Sequence, residues 1–151
     1  MALGATTYKT PNIINQIDED LTAKEGCGVK LPAANKVRLA NAATDIPYAV
    51  IVTGTDSVTP GTYPSAIGDA SLEMVDQLGC VVQVLISSAG SVAANDFLLI
   101  DSTDADGTFV SSNSQSPNAG DWVWGLALTD AGAGEQCLMR FQPQVIEYIA
   151  P

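Results

Sequence analysis

From Gly26 onward the chain alternates short apolar or apolar–polar runs with clusters of turn-forming residues, the pattern of β-strands. GVKL, beginning at Gly28, reads as a strand, and PAAN after it supplies a turn through Pro32 and Asn35. KVRLA then alternates: Lys36 and Arg38 point out, Val37 and Leu39 point in. Beyond the loop NAATDIP comes YAVIVTG, β-branched and aromatic, ending at Gly54. TDSVTPGTYPSAIGDAS is a long surface loop by composition, and LEMVDQLGC fits either a helical turn or a strand. VVQVLISS, residues 81–88, is the most apolar run and predicts a buried strand. FLLI (97–100) and TFVSS follow as strands around the tight turn TDADG. DWVWGLALTD and QCLMRFQPQ then make a strand–turn–strand unit about AGAGE, with Cys137, Met139 and Phe141 on one face. VIEYI closes the pattern as a last strand or an arm.

These runs amount to about eight short strands with little helix, which predicts a mainly β fold, a small β-barrel or β-sandwich. The two halves echo each other. GVKL, KVRL, YAVIV and VVQVL in the first parallel FLLI, TFV, VWGLAL and QCLMRF in the second, suggesting two related β-units closing one barrel. Residues 1–25 differ. Ile13, Ile14, Ile17 and Leu21 recur at helical spacing, but Pro11 precedes them, Gly26 follows closely, and so short an amphipathic stretch is weak alone. The expected division is an extended N-terminal arm over residues 1–25 and a β-barrel domain over 26–151. Tyr8, Ile13, Ile14 and Ile17 of the arm then find their burial on a neighbouring molecule.

Charge narrows the partners. The 151 residues carry 17 acidic and 6 basic side chains, a formal charge of −11. With no Lys/Arg cluster to offset it, such a chain is repelled by phosphate backbones, so neither nucleic acid nor an anionic membrane is expected. A hydrophobic content of 46% excludes general disorder. No apolar run reaches membrane-spanning length. MALGATTYKT lacks the apolar stretch of a secretory signal, which with an odd cysteine count predicts cytosolic synthesis. Histidine is absent, which removes Ser–His and Cys–His nucleophiles, His-ligated zinc and the usual near-neutral base. Cys27, Cys80 and Cys137 have no metal-ligand spacing and read as buried reduced thiols. The expectation is therefore no enzyme, no catalytic residue, no cofactor and no metal centre.

Three local features invite chemistry. Asp101-Ser102-Thr103-Asp104-Ala105-Asp106-Gly107 has the alternating oxygen donors of a calcium loop. Its frame would put Ser102 first and Asn113 at the bidentate position, so a turn whose carboxylates hold local amides is preferred to a weak cation site. Asp18-Glu19-Asp20 is either a solvated face or a docking element for a basic groove. Trp122 and Trp124, two apart on a strand, fit core or subunit-interface packing, with stacking on a sugar as the alternative.

Two stretches carry a resemblance. Gly28-Val29-Lys30-Leu31, Lys36-Val37-Arg38-Leu39-Ala40 and Ala43-Thr44-Asp45-Ile46-Pro47-Tyr48-Ala49-Val50 resemble the "GxVKL … VxLA … ATDxPxGV" run of tailed-phage capsid decoration (head cement) proteins. Gly90-Ser91-Val92-Ala93-Ala94-Asn95-Asp96, Trp124-Gly125-Leu126-Ala127-Leu128 and Ala131-Gly132-Ala133-Gly134-Glu135 are similar to their "GxVxAGDxL … VGVALE-AAxAGE" half. Asn95 and Tyr48-Ala49 stand where that pattern has small residues or Gly, and the 55–80 insertion is long. The resemblance implies a non-enzymatic, homo-oligomeric virion protein, a trimer by expectation. It would bind the capsid exterior, bridge adjacent copies of the phage major capsid protein, and stabilise the shell against packaged DNA. Tyr8, Ile13, Ile14, Ile17, Trp122 and Trp124 are the expected interface residues. The alternatives are another virion component, such as a head-fibre base or tail protein, and a carbohydrate-binding module using Trp122 and Trp124.

Overall fold

The computed structural model describes residues 16–33, 36–52, 74–104 and 106–147. Ten strands follow in chain order: β1 (Gln16–Ile17), β2 (Gly28–Lys30), β3 (Lys36–Leu39), β4 (Ala49–Ile51), β5 (Met74–Val75), β6 (Val81–Leu85), β7 (Phe97–Ile100), β8 (Phe109–Ser111), β9 (Trp122–Ala127) and β10 (Gln136–Val145). They form two sheets, ordered β1-β3-β2-β4-β5 and β6-β10-β9-β7-β8. Neighbours are antiparallel throughout, except that the two-residue β1 adds to β3 in parallel. No helix occurs among the described residues. The architecture is a small β-sandwich.

It is not a closed barrel. The two edges of the second sheet meet at one point, where Ile86, just past β6, bridges Phe109 of β8 in parallel. There the Ser87 N–H donates to the Phe109 carbonyl at 2.8 Å. One bridge is not a ladder, so the sheet stays open along the rest of its edges.

The echo between the halves corresponds to a repeated topology. In chain order, β3-β2-β4-β5 and β8-β7-β9-β10 both run second, first, third, fourth. The pairing differs from expectation at one place. The fourth strand of the first unit is β5, from the segment that fitted helix or strand, while VVQVL forms β6 on the far side of β10.

Each strand's alternation decides what it buries. The larger core fills the space between the sheets, with Val50 and Val75 from the first meeting Val82, Ile100, Phe109 and Met139 from the second. The other face of the first sheet carries Val29, Val37, Leu39 and Ile51 into a smaller core, together with Ile17 and Leu21. Residues 16–25, expected within the arm, thus supply β1 and two core side chains to the domain itself. Ile17 is 1% exposed, so its burial is intramolecular and not on a neighbour. VVQVL also departs from a strand buried on both faces. Val82 and Val84 turn inward and Val81 and Gln83 outward, so the outer side is open at β6, whereas Leu98–Ile100 and Phe109–Ser111 are buried at every position and the sheet is covered on both sides there.

Two close approaches require glycine. A Cβ on Gly28 would come within 2.7 Å of the Trp124 ring, and one on Gly125 would overlap the Arg140 carbonyl oxygen on β10. Both let a backbone lie against a large neighbour. Beyond Phe141 the β9–β10 register shifts by one residue before Gln144, and Pro143, which has no N–H to give a ladder, falls inside that irregularity.

Candidate interaction surface

The carboxylates that looked free in the sequence are largely committed within the chain. Asp18 accepts from Lys36 Nζ at 3.0 Å and pairs with Arg38 at 2.9 Å. The hydrogen bond from Lys36, opposed by partial desolvation, holds the Asp18 carboxyl below its ordinary range. Glu19 accepts from the Leu39 N–H, and Asp20 from the Thr22 N–H at 3.0 Å. Asp18 and Glu19 thus strap this segment to β3, while Asp20 stays exposed and holds only the local turn at Thr22. The strap's alternation partner is the charged side of KVRL.

Asp101 sits at the end of β7 and is 2% exposed. One oxygen accepts from the Ser87 hydroxyl; the other accepts from the Thr103 N–H at 2.8 Å and the Thr103 hydroxyl at 2.6 Å. Burial works against ionisation here, but these donors outweigh it and keep the carboxyl below its usual range. Since Ser87 follows the bridge between the sheet edges, Asp101 is a latch that fastens β6 to the β7–β8 hairpin. Its turn is the amide-holding turn of the sequence reading. Among the described residues, no three Cys, Asp or Glu side chains converge as a metal-binding group.

Of the expected interface residues, Tyr8, Ile13 and Ile14 lie outside the described residues. Trp124 is fully buried, edge-on to Phe109 at 5.5 Å and to Phe141 at 6.4 Å, so it offers no face to a protein partner or a sugar. Trp122 is half-buried against the same core, and its backbone N–H donates to the Ala43 carbonyl at 2.8 Å. The two rings do not form an exposed platform. The three cysteines are free and buried. Desolvation pushes the Cys27 thiol up to about 12 and Cys137 up to about 11, and burial followed by the nearby Asp76 raises Cys80. Burial thus disfavours the thiolate at each of the three.

Among the described residues Leu31, Ile46, Leu78, Val81, Phe97, Leu138 and Val145 are large apolar side chains left exposed, and three of them share one sheet face. On the outer face of the second sheet, Val81, Phe97 and Leu138 keep 48%, 47% and 41% of their surface in water. The registers set Val81 opposite Arg140, Arg140 opposite Leu126, and Leu126 opposite Phe97, one row across four strands. The sequence reading followed the inward residues Cys137, Met139 and Phe141 and passed over their neighbours. The same alternation sends Leu138 and Arg140 outward, and that was the available signal. Val81 and Phe97 stand at the two ends of this row with Arg140 and the half-buried Leu126 between them, and Leu138 lies beside it; singly exposed apolar residues are ordinary on protein surfaces, and their grouping on one sheet face makes this the candidate surface.

Several residues carrying the family resemblance hold this framework. Asp45 accepts from Lys30 at 2.9 Å and from the Asn41 and Ala42 amides. Asp96 accepts from the Ala93 N–H, the Ser111 hydroxyl and Asn113. Asn95 has φ +76°, the left-handed region where glycine is usual and Asn is tolerated, which accounts for its replacing the pattern's Gly. No protein-family model and no curated protein matches the chain.

Proposed function

We propose that the chain is a structural virion protein that binds the outer surface of an icosahedral phage head and clamps adjacent major capsid subunits. The observation that carries this reading is the apolar row on the outer face of the second sheet. Its mechanism is burial of surface and involves no turnover. Each fully covered Val, Leu or Phe side chain contributes about 1.5–3 kcal/mol, and repetition over a lattice multiplies a modest per-site gain. A negative charge of −11 keeps so adhesive a molecule soluble before docking. Homo-oligomerisation, as a trimer, and a second contact through Tyr8, Ile13 and Ile14 belong to the same proposal, by resemblance to the decoration proteins. A head-fibre base or tail component uses the same outward face and is the competing virion role. The sugar-binding alternative loses its platform with the burial of Trp124.

Purified empty expanded heads test the proposal. Heads mixed with the chain and sedimented carry it into the pellet and gain resistance to heat or chelator. Chain left in the supernatant at all concentrations contradicts the reading. A truncation removing residues 1–15, which leaves Ile17 and Asp18 in place, separates the contribution of the N-terminal segment from that of the sheet.

A further inference from the structure

Taking the capsid-binding role above as its premise, we infer that the second sheet's outer face docks on a protein surface presenting a carboxylate flanked by apolar side chains, with Arg140 as its clamp. Four of the five described cations are neutralised within the chain: Lys24 by Asp106, Lys30 by Asp45, and Lys36 and Arg38 by Asp18. Arg140, exposed on β10, alone among the described cations has no carboxylate partner. It stands inside the row Val81–Arg140–Leu126–Phe97. Leu138, paired with Gln83, and Leu128, whose N–H donates to the Leu138 carbonyl at 2.7 Å, flank that row. With strands about 4.8 Å apart, the row alone spans about 14 Å.

None of these side chains is acidic, although the chain as a whole carries −11. An otherwise acidic surface thus contains a face where Val81, Phe97 and Leu138 are exposed beside Gln83 and Gln136, with one uncompensated guanidinium among them. Guanidinium is the group suited to bidentate capture of a carboxylate, and apolar neighbours that exclude water strengthen that contact. A second copy meeting this face symmetrically does not fit. A two-fold contact would bring Arg140 toward its own equivalent, with no carboxylate on either face to receive it. Charge complementarity therefore excludes pairing of this face with itself and calls for a carboxylate-bearing surface, which under the capsid-binding premise is the shell's.

The test sediments empty expanded heads with the full chain and with Arg140→Glu, Arg140→Gln, Phe97→Asp and Ser88→Glu, the last an exposed control beyond β6. Arg140→Glu and Phe97→Asp are expected to weaken binding by about a hundredfold and Arg140→Gln by about tenfold, with Ser88→Glu equal to wild type. Wild-type binding should weaken with added salt more steeply than that of Arg140→Gln. If the wild type binds and the Arg140 and Phe97 variants bind equally well, the inference fails and the capsid-binding role stands. If the wild type does not bind, both fail. If the chain instead self-associates and Arg140→Glu abolishes that association without changing head binding, the occupant is a second copy and the assignment is overturned. Circular dichroism verifies folding, and Arg140→Gln carries the test should Phe97→Asp unfold.

Discussion

The two sheets are built on one strand order but meet their surroundings differently. The first is buried on both faces: Ala49, Val50 and Ile51 are all covered, one side by the second sheet and the other by the smaller core. Its outward charges are matched internally, with Asp18 between Lys36 and Arg38 and Asp45 on Lys30. The second sheet is likewise covered on both sides at Leu98–Ile100 and Phe109–Ser111, but across β6, β10 and the start of β7 it turns Val81, Phe97, Leu138 and an unmatched Arg140 outward. In the proposed role, that difference separates scaffold from working surface. Apolar side chains that complete a core give stability, whereas apolar side chains in a row with no cover provide adhesion.

Substitutions on the two sides of the second sheet break that comparison most sharply. Trp124→Ala empties the centre of the larger core and should cost about 3–5 kcal/mol in urea unfolding. If Phe97→Ala costs as much, the outer face is not outer.

Next in size is the latch. Asp101→Ala strips two hydroxyls and an amide of a charged acceptor and should cost about 1–3 kcal/mol. Because the folded carboxyl ionises more readily than the unfolded one, its contribution is complete above the ordinary carboxylate value and is lost as pH falls through the lowered folded value. Unfolding measured at about pH 7 and about pH 3 should therefore show a smaller acid loss for Asp101→Asn than for wild type.

Smaller again is Asn95, where φ is +76°. Asn95→Ala should destabilise by about 1 kcal/mol, and Asn95→Gly should be near neutral by thermal unfolding. Smallest is Leu138→Ser on the outer face, expected within about 0.5 kcal/mol of wild type in the free protein. A large loss there would mean that the residue is part of a core.

Much of the fold was legible because strands advertise themselves by alternation. KVRL and QCLMRF each place inward and outward residues as the sequence predicts, and FLLI coincides with β7. The surface was harder to read. A tryptophan is amphipathic enough to suit core or interface, and only the close approach of Gly28 and the rings of Phe109 and Phe141 decide that Trp124 is core. Ile17 and the acidic run looked like arm residues because their partners, Val37, Leu39, Lys36 and Arg38, are about twenty positions away, beyond the reach of local patterns. Arg140 could not be singled out until the other cations had found their carboxylates.

A cryo-electron-microscopy reconstruction of empty heads decorated with the full chain tests the central claim most directly. The account predicts that the sandwich sits with β6, β10, β9 and β7 facing the shell, and that Arg140 lies within contact distance of a capsid carboxylate. A reconstruction in which that face points to solvent, with the first sheet or its loops against the shell, would contradict it.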